Sequence, residues 1–177
     1  MPEAELLRAG KVGVVPTDTL YGLLASIEHE AAVRRVYELK HRSISKPCII
    51  LISSRDDLAC FGITPTDVQA AVLDQRWPGP VSIVFPCGPG VPEWLHGGTH
   101  TLALRLPADE SLRALLRESG PLIAPSANPE GFPPAASVDE ARAYFGDTVD
   151  FYIDGSHKQG RPSALINLDA DGTQTVL

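Results

Sequence analysis

Between residues 34 and 46, five cations (Arg34, Arg35, Lys40, Arg42 and Lys46) face a single acid, Glu38, in a chain whose net charge is −7. A basic island in an acidic protein suits a local anion, a phosphate pocket above all. Within it, the run Lys40-His41-Arg42-Ser43-Ile44-Ser45-Lys46-Pro47 could grip a polyphosphate, because ammonium and guanidinium groups donate short charge-assisted hydrogen bonds to phosphate oxygens. On an ideal helix Lys40 and Arg42 point about 200° apart. They can share one ligand only if the helix stops near residue 40, and Ser43, Ser45 and Pro47 favour such a stop. The competing reading is a lysine that snorkels at a helix C-terminus, where the dipole favours a cation.

Three further segments hold groups of a useful kind. Pro16-Thr17-Asp18-Thr19-Leu20-Tyr21-Gly22-Leu23 follows an apolar run. It offers two hydroxyls and a carboxylate at a strand end, where α/β proteins place ligands; equally, Asp and Thr are good helix N-caps. In Pro121-Leu122-Ile123-Ala124-Pro125-Ser126-Ala127-Asn128-Pro129 the prolines stiffen a loop. Its Ser126 and Asn128 could meet a phosphate or an adenine edge, or close an Asx-type turn on themselves. Ile153–Ser156 and Gly160–Ser163 form a glycine-bracketed loop, either a plain connection or a mobile lid. His96 and His100 are four apart, but Gly97, Gly98 and Thr99 between them argue for a solvent loop and against a helix-borne metal pair. The sequence contains no GxxxxGK[ST], GxGxxG or GxSxG, so a Walker loop, a Rossmann fingerprint and the usual serine-hydrolase elbow are excluded.

Those groups need elements to hold them. Lys11–Pro16 and Cys48–Ile52 read as buried strands. Residues 30–41 form a helix with Val33, Val36, Tyr37 and Lys40 on one stripe. Thr64-Pro65 with Asp67 opens a second helix, Asp109 caps a third that Gly120 and Pro121 end, and Ser137-Val138-Asp139-Glu140 is a capping box for a fourth. Strands are expected at 81–85, 101–106, 122–124, 151–153, 164–168 and 173–176. Many short strands mixed with four or five helices predict a mixed α/β or α+β chain with a twisted sheet, one domain over 1–177 and no second domain. The 44% hydrophobic and 21% charged residues exclude wholesale disorder. No apolar run approaches the length of a membrane span, and the acidic N-terminus lacks a signal-peptide core. Cys48, Cys60 and Cys87 are odd in number and show no CxxC spacing, as expected of reduced thiols in a cytoplasmic protein. The negative charge argues against a dedicated nucleic-acid binder.

Six stretches together resemble one family. PTDTLYGLLA (16–25), ELKHR (38–42) with KP (46–47), RWPGPVSIVF (76–85), TLALRLP (101–107), PLIAPSANPEG (121–131), and IDGS with GRPSALINLD toward the end stand in the order of the YrdC/Sua5 threonylcarbamoyl-AMP synthases. They span nearly the whole chain, and the likeness is greatest to the short bacterial form. The resemblance implies a concave basic pocket and a reaction in which L-threonine, bicarbonate or CO2, and ATP give threonylcarbamoyl-AMP, pyrophosphate and water. The product then passes to a downstream tRNA threonylcarbamoyl-transferase complex that modifies an adenosine beside the anticodon. It further implies Lys40 and Arg42 as the catalytic pair; Lys40, Arg42, Thr101, Ser126 and Asn128 on ATP; and Thr17, Arg105, Ala124 and Ser163 on threonine. Mg2+ would arrive mainly through the nucleotide, with no protein side chains assigned to it. Direct tRNA binding would be weak or absent.

The sequence departs from the family pattern in places. Ser163-Ala164 replaces a common Ser-Thr, Ser43 replaces a proline, and the sequence stops at Leu177 before a late arginine. Two other expectations compete: a paralogue of the same fold that binds RNA or a nucleotide without synthesis, and a carbamoyl-transfer domain of hydrogenase maturation.

Overall fold

The computed structural model describes every residue except Gln159. In chain order the elements are α1 (Pro2–Arg8), β1 (Gly13–Pro16), β2 (Tyr21–Ser26), α2 (Glu30–Lys40), β3 (Ile50–Leu51), a 3-10 helix (Arg55–Phe61), α3 (Asp67–Arg76) and β4 (Val81–Pro86). There follow α4 (Glu93–His96), β5 (Thr101–Arg105), α5 (Glu110–Ser119), β6 (Leu122–Ile123), α6 (Val138–Phe145), β7 (Phe151–Tyr152), β8 (Ala164–Leu168) and β9 (Gln174–Val176).

The strands make one mixed sheet in the order β7-β1-β2-β6-β3-β5-β4-β8-β9. Five antiparallel pairs (β1/β2, β2/β6, β3/β6, β4/β5, β8/β9) combine with three parallel ones (β1/β7, β3/β5, β4/β8), which makes the architecture the expected mixed α/β. Helices cover both faces. On one, Leu23, Ile50, Leu104 and Ile123 pack with Val33 and Val36 of α2 and Phe145 of α6. On the other, Leu24, Leu51 and Leu122 pack with Leu7 of α1 and Leu112, Leu115 and Leu116 of α5. Consecutive strand residues point to opposite faces, so a sheet covered on both sides needs unbroken apolar runs. All six residues of β2 are accordingly buried. Each Leu or Ile so placed contributes roughly 1.5–3 kcal/mol of transfer free energy.

The helix ends follow their local signals. Thr66 caps α3 by accepting from the Gln69 N–H, Asp109 caps α5 through Leu112, and Ser137 caps α6 through Glu140. Helix α2 ends at Lys40 with His41 left-handed at φ 51°, one residue short of the expected 30–41 and at the stop that a ligand shared by Lys40 and Arg42 would require.

The structure corrects several sequence expectations. β3 is confined to two residues of the 48–52 run. Strand β2 and helices α1 and α4 have no counterpart in the sequence reading. Asp18 and Thr19 lead into a strand and cap no helix. His96 ends α4 with only 6% exposure, its ring 4.9 Å from that of His100, where a solvent loop was expected. Apolar packing of α4 through Leu95 and Trp94 outweighs the two glycines that follow.

Candidate active site

The turn between β1 and β2 begins the site. Thr17 is 4% exposed, and its hydroxyl is spent on the turn: Oγ1 donates to Leu20 O at 2.6 Å and accepts from the N–H groups of Thr19 and Leu20. This is an ST-type local bond that fixes the turn. It aims Asp18 and Thr19 across the sheet at the last residue of β5. There Arg105 Nη1 donates to Thr19 Oγ1 at 3.2 Å, and Nη2 forms an ion pair with Asp18 Oδ1 at 3.1 Å. Asp18 Oδ2 accepts from Ala108 N–H, so one carboxylate ties the turn to the chain beyond β5. The Arg105 side chain is 5% exposed and that of Asp18 12%. Burial pulls the guanidinium pKa down while Asp18 pushes it up. Arg105 Nε is buried and has no partner among the described residues. An orphaned donor of this kind is uncommon in native proteins and marks a place where a ligand oxygen would be welcome.

Arg105 opens onto a cavity of about 130 Å³ lined by Thr17, Thr19, Leu20, Tyr21, Gly22, Ile49, Arg105, Ala124, Pro125, Ser126, Pro162 and Ser163. Pockets that hold drug-sized ligands run to roughly 300–1,000 Å³; this space suits an amino acid and is too small for a whole nucleotide. Its lining is mostly apolar, with one guanidinium and a few hydroxyls.

The roof comes from the loop after β7. Tyr21, fully buried, accepts from Gly155 N–H at 3.0 Å and donates to Ser156 O at 2.8 Å. Gly160 lies so close to the turn that a Cβ there would sit 2.0 Å from Thr19 O. Ser163 Oγ shares a hydrogen bond with Ser82 Oγ at 2.9 Å.

The floor is the segment after β6. Leu23 N–H donates to Pro125 O, Ala127 N–H to Tyr21 O, and Ala124 N–H to Ile49 O. Ser126 Oγ donates to Asn128 Oδ1 at 2.6 Å. The Asn128 amide nitrogen donates to Pro129 O and Phe132 O, an Asx-type arrangement in which the segment binds itself. Lys40 joins it from α2: Nζ donates to Ser126 O (2.6 Å), Asn128 O (2.8 Å) and Asn128 Oδ1 (3.2 Å). Burial lowers the Lys40 pKa to about 8, with Cys48 and Glu130 pulling back up and Arg42 pushing further down.

Of the residues singled out in the sequence, the fold therefore gathers Thr17, Arg105, Ala124, Ser126 and Ser163 around one cavity. It links Lys40 and Asn128 to Ser126. Arg42 stands apart, its Nε donating to Lys46 O at 2.9 Å, in an open groove with Arg34, Tyr37, Glu38, His41 and Ile44. Lys46 in turn pairs with Glu130 at 2.8 Å and holds that carboxyl below its usual range, so the Arg42 segment borders the Ser126–Gly131 loop. Thr101 sits at the opposite end of β5 from Arg105, paired with Pro86, about 13 Å away along the strand and outside the cavity lining. Sequence reading passed over Tyr21, Ile49, Pro125 and Pro162 as site residues. Tyr21 carried a signal, an aromatic hydroxyl directly after the threonine-rich turn.

The family model of the Sua5/YciO/YrdC proteins, described as telomere recombination, matches residues 5–177. A relative in Escherichia coli O9:H4 (strain HS) named threonylcarbamoyl-AMP synthase is 37% identical over 145 residues, 80% of this chain and 76% of that protein. Proteins of the same name in Shigella boydii and Nitrosococcus oceani are 37% and 35% identical, covering 91% and 92% of this chain and 86% and 89% of theirs. The crystal structure of P. abyssi Sua5 complexed with L-threonine superposes with a TM-score of 0.88 at 35% identity over 94% of this chain. This chain spans half the length of that one. E. coli YciO, at 23% identity, shares the fold with a TM-score of 0.88 over 99% of this chain and 86% of its own. The chain belongs to the Sua5/YciO/YrdC family.

Proposed function

We propose that this chain is an L-threonylcarbamoyladenylate synthase. The observation that carries the reading is the amino-acid-sized cavity whose one guanidinium, Arg105, is buried and keeps an unpartnered Nε. A carboxylate would take that donor in a charge-assisted bond, leaving the threonine side chain among Ile49, Ala124 and Pro125. The amino group attacks bicarbonate to give a carbamate with loss of water. A carbamate oxygen then attacks the α-phosphorus of ATP, the P–O bond to the β-phosphate breaks, and pyrophosphate leaves.

The chain's work is positioning and charge neutralisation more than acid–base chemistry. The nucleotide does not fit the cavity. Its α-phosphate would reach the mouth at Ser126, with Arg42 on the bordering segment as the cation for the phosphates. Among the described residues no three His, Cys, Asp or Glu side chains converge to hold a metal; Mg2+ would come on the nucleotide's own phosphates. The product supplies a downstream tRNA threonylcarbamoyl-transferase complex, and this chain, at net charge −7, need not hold tRNA itself. The three free cysteines suit a cytoplasmic setting; no helix among the described residues is long and apolar enough to cross a membrane.

The test is pyrophosphate release with ATP, bicarbonate and L-threonine, omitting each in turn. Release should require all three. Release that is indifferent to threonine would refute the synthase, and nucleotide or RNA binding without release would favour the non-synthetic paralogue.

A further inference from the structure

Of the five cations in the basic island, Lys40 alone is taken inside, at 3% exposure. Helix α2 ends on it, and the left-handed His41 turns the chain away, so the ammonium points into the fold while Arg42 follows another path. Its three N–H bonds meet three acceptors: Ser126 O, Asn128 O and Asn128 Oδ1. An ammonium has three donors and no more. A phosphate oxygen could reach it only by displacing one of these acceptors and leaving that group unpaired and buried, at the full desolvation cost. The residue's backbone joins the same loop: Lys40 O accepts from Glu130 N–H at 2.7 Å. Arg42 spends Nε on Lys46 O and touches Pro47 O only at 3.5 Å, so much of its fork stays open to the groove.

We propose that Lys40 is a positioning residue: it holds the 125–131 segment so that Ser126 faces Arg105 across the threonine cavity, and it does not ligate phosphate. This rests on the synthase reading for what the cavity binds. Ser126 transmits the effect. Its carbonyl sits on Lys40, its hydroxyl on Asn128 Oδ1, and its backbone bridges Gly22 of β2, while Ala124 and Pro125 before it line the same space. Removing the ammonium frees two carbonyls and an amide oxygen at once, and the cavity wall relaxes. The consequence is specific: Lys40 governs threonine binding even when no nucleotide is present, which a phosphate ligand cannot do.

The experiment is calorimetric titration of L-threonine into the nucleotide-free protein for the wild type, Lys40→Ala, Lys40→Arg and Arg42→Ala. Both Lys40 variants should bind threonine at least tenfold more weakly, with Arg42→Ala unchanged for threonine but weakened for ATP. Lys40→Arg separates the two roles: a phosphate ligand tolerates another cation, whereas a cradle of three acceptors shaped for an ammonium does not accept a planar fork. Threonine affinity within twofold of wild type in the Lys40 variants overturns the proposal. Should those variants fail to fold, the wild-type protein with 15N-labelled lysine decides. A protected ammonium signal that stays in place when inorganic triphosphate or ATP is added supports the proposal, and a signal that moves with either overturns it. A wild type that binds no threonine and releases no pyrophosphate removes the synthase reading instead, and the ammonium signal still reports whether Lys40 sits on the loop carbonyls.

Discussion

Arg105→Lys isolates the group on which the threonine pocket depends. Arg105→Ala would be a poor probe, because deleting one partner of the buried Asp18–Arg105 pair strands the other charge and costs about 3–5 kcal/mol of stability. Lysine keeps a positive charge for Asp18 but has no fork. The native guanidinium divides its donors among Asp18 at 3.1 Å, Thr19 at 3.2 Å and the unpartnered Nε. An ammonium on a flexible stem cannot satisfy Asp18 and present a second fixed donor to a carboxylate in the same plane. One charged hydrogen bond lost to the substrate is worth about 1.5–3 kcal/mol, or roughly tenfold to a hundredfold in threonine dependence. Pyrophosphate release would be measured against threonine concentration at saturating ATP, with ATP affinity determined separately. The expected outcome is a raised threonine KM with unchanged ATP binding. An unchanged threonine dependence, accompanied only by a lower unfolding midpoint, would show that Arg105 serves the Asp18 turn and not the substrate.

Three other outcomes are expected. Gly160→Ala places a methyl against Thr19 O, 2.0 Å away in the native geometry, so the roof must lift; threonine binding should fall by tenfold or more while urea unfolding barely changes, and a variant with wild-type affinity would show that the loop does not close the cavity. Thr17→Val keeps the shape but removes the hydroxyl that closes the turn through Leu20 and Thr19, which should lower stability by about 1–3 kcal/mol in denaturant titration; intact stability with a lost threonine response would instead make Thr17 a direct ligand group. For Lys40, whose folded pKa of about 8 lies below its ordinary value of 10.5, both native and unfolded chains hold the proton below pH 8, and only the unfolded chain holds it between the two values. Its contribution to stability therefore rises with pH across that window, by about 1.4 kcal/mol per pH unit at most. The difference in unfolding free energy between wild type and Lys40→Met should grow from pH 8 to 10, and a flat difference would contradict the buried, charge-disfavouring site.

Local chemistry made much of this molecule legible from its residues. Caps at Asp109 and Ser137, the glycine after α5 and the end of α2 near Lys40 are set by side chains within a few positions of the bonds they make, so a one-dimensional reading reaches them; the cap of α3 fell at Thr66, two residues past the Thr64 start that was expected. The apolar runs announced most strands for the same reason. β2 escaped because Gly22 and Ser26 leave its apolar run short, and the polar turn before it reads as readily as a helix cap. The candidate site shows the same division. The serine–asparagine pair, the lysine–arginine pair and the threonine-rich turn are visible as types and spacings. Which atom each one meets is not. Asp18 and Arg105 are 87 residues apart, Lys40 and Asn128 88, Tyr21 and Ser156 135. Bonds across such separations leave no local trace, because the sheet order that brings them together is a property of the whole packed chain. The amino acids of the basic island therefore determined that cations gather around the end of α2. Only the tertiary structure decided that Lys40 turns inward to three carbonyl-type oxygens while Arg42 stays outside. A buried ammonium must find acceptors wherever the packed loop offers them, whereas the half-buried Arg42 guanidinium keeps access to water.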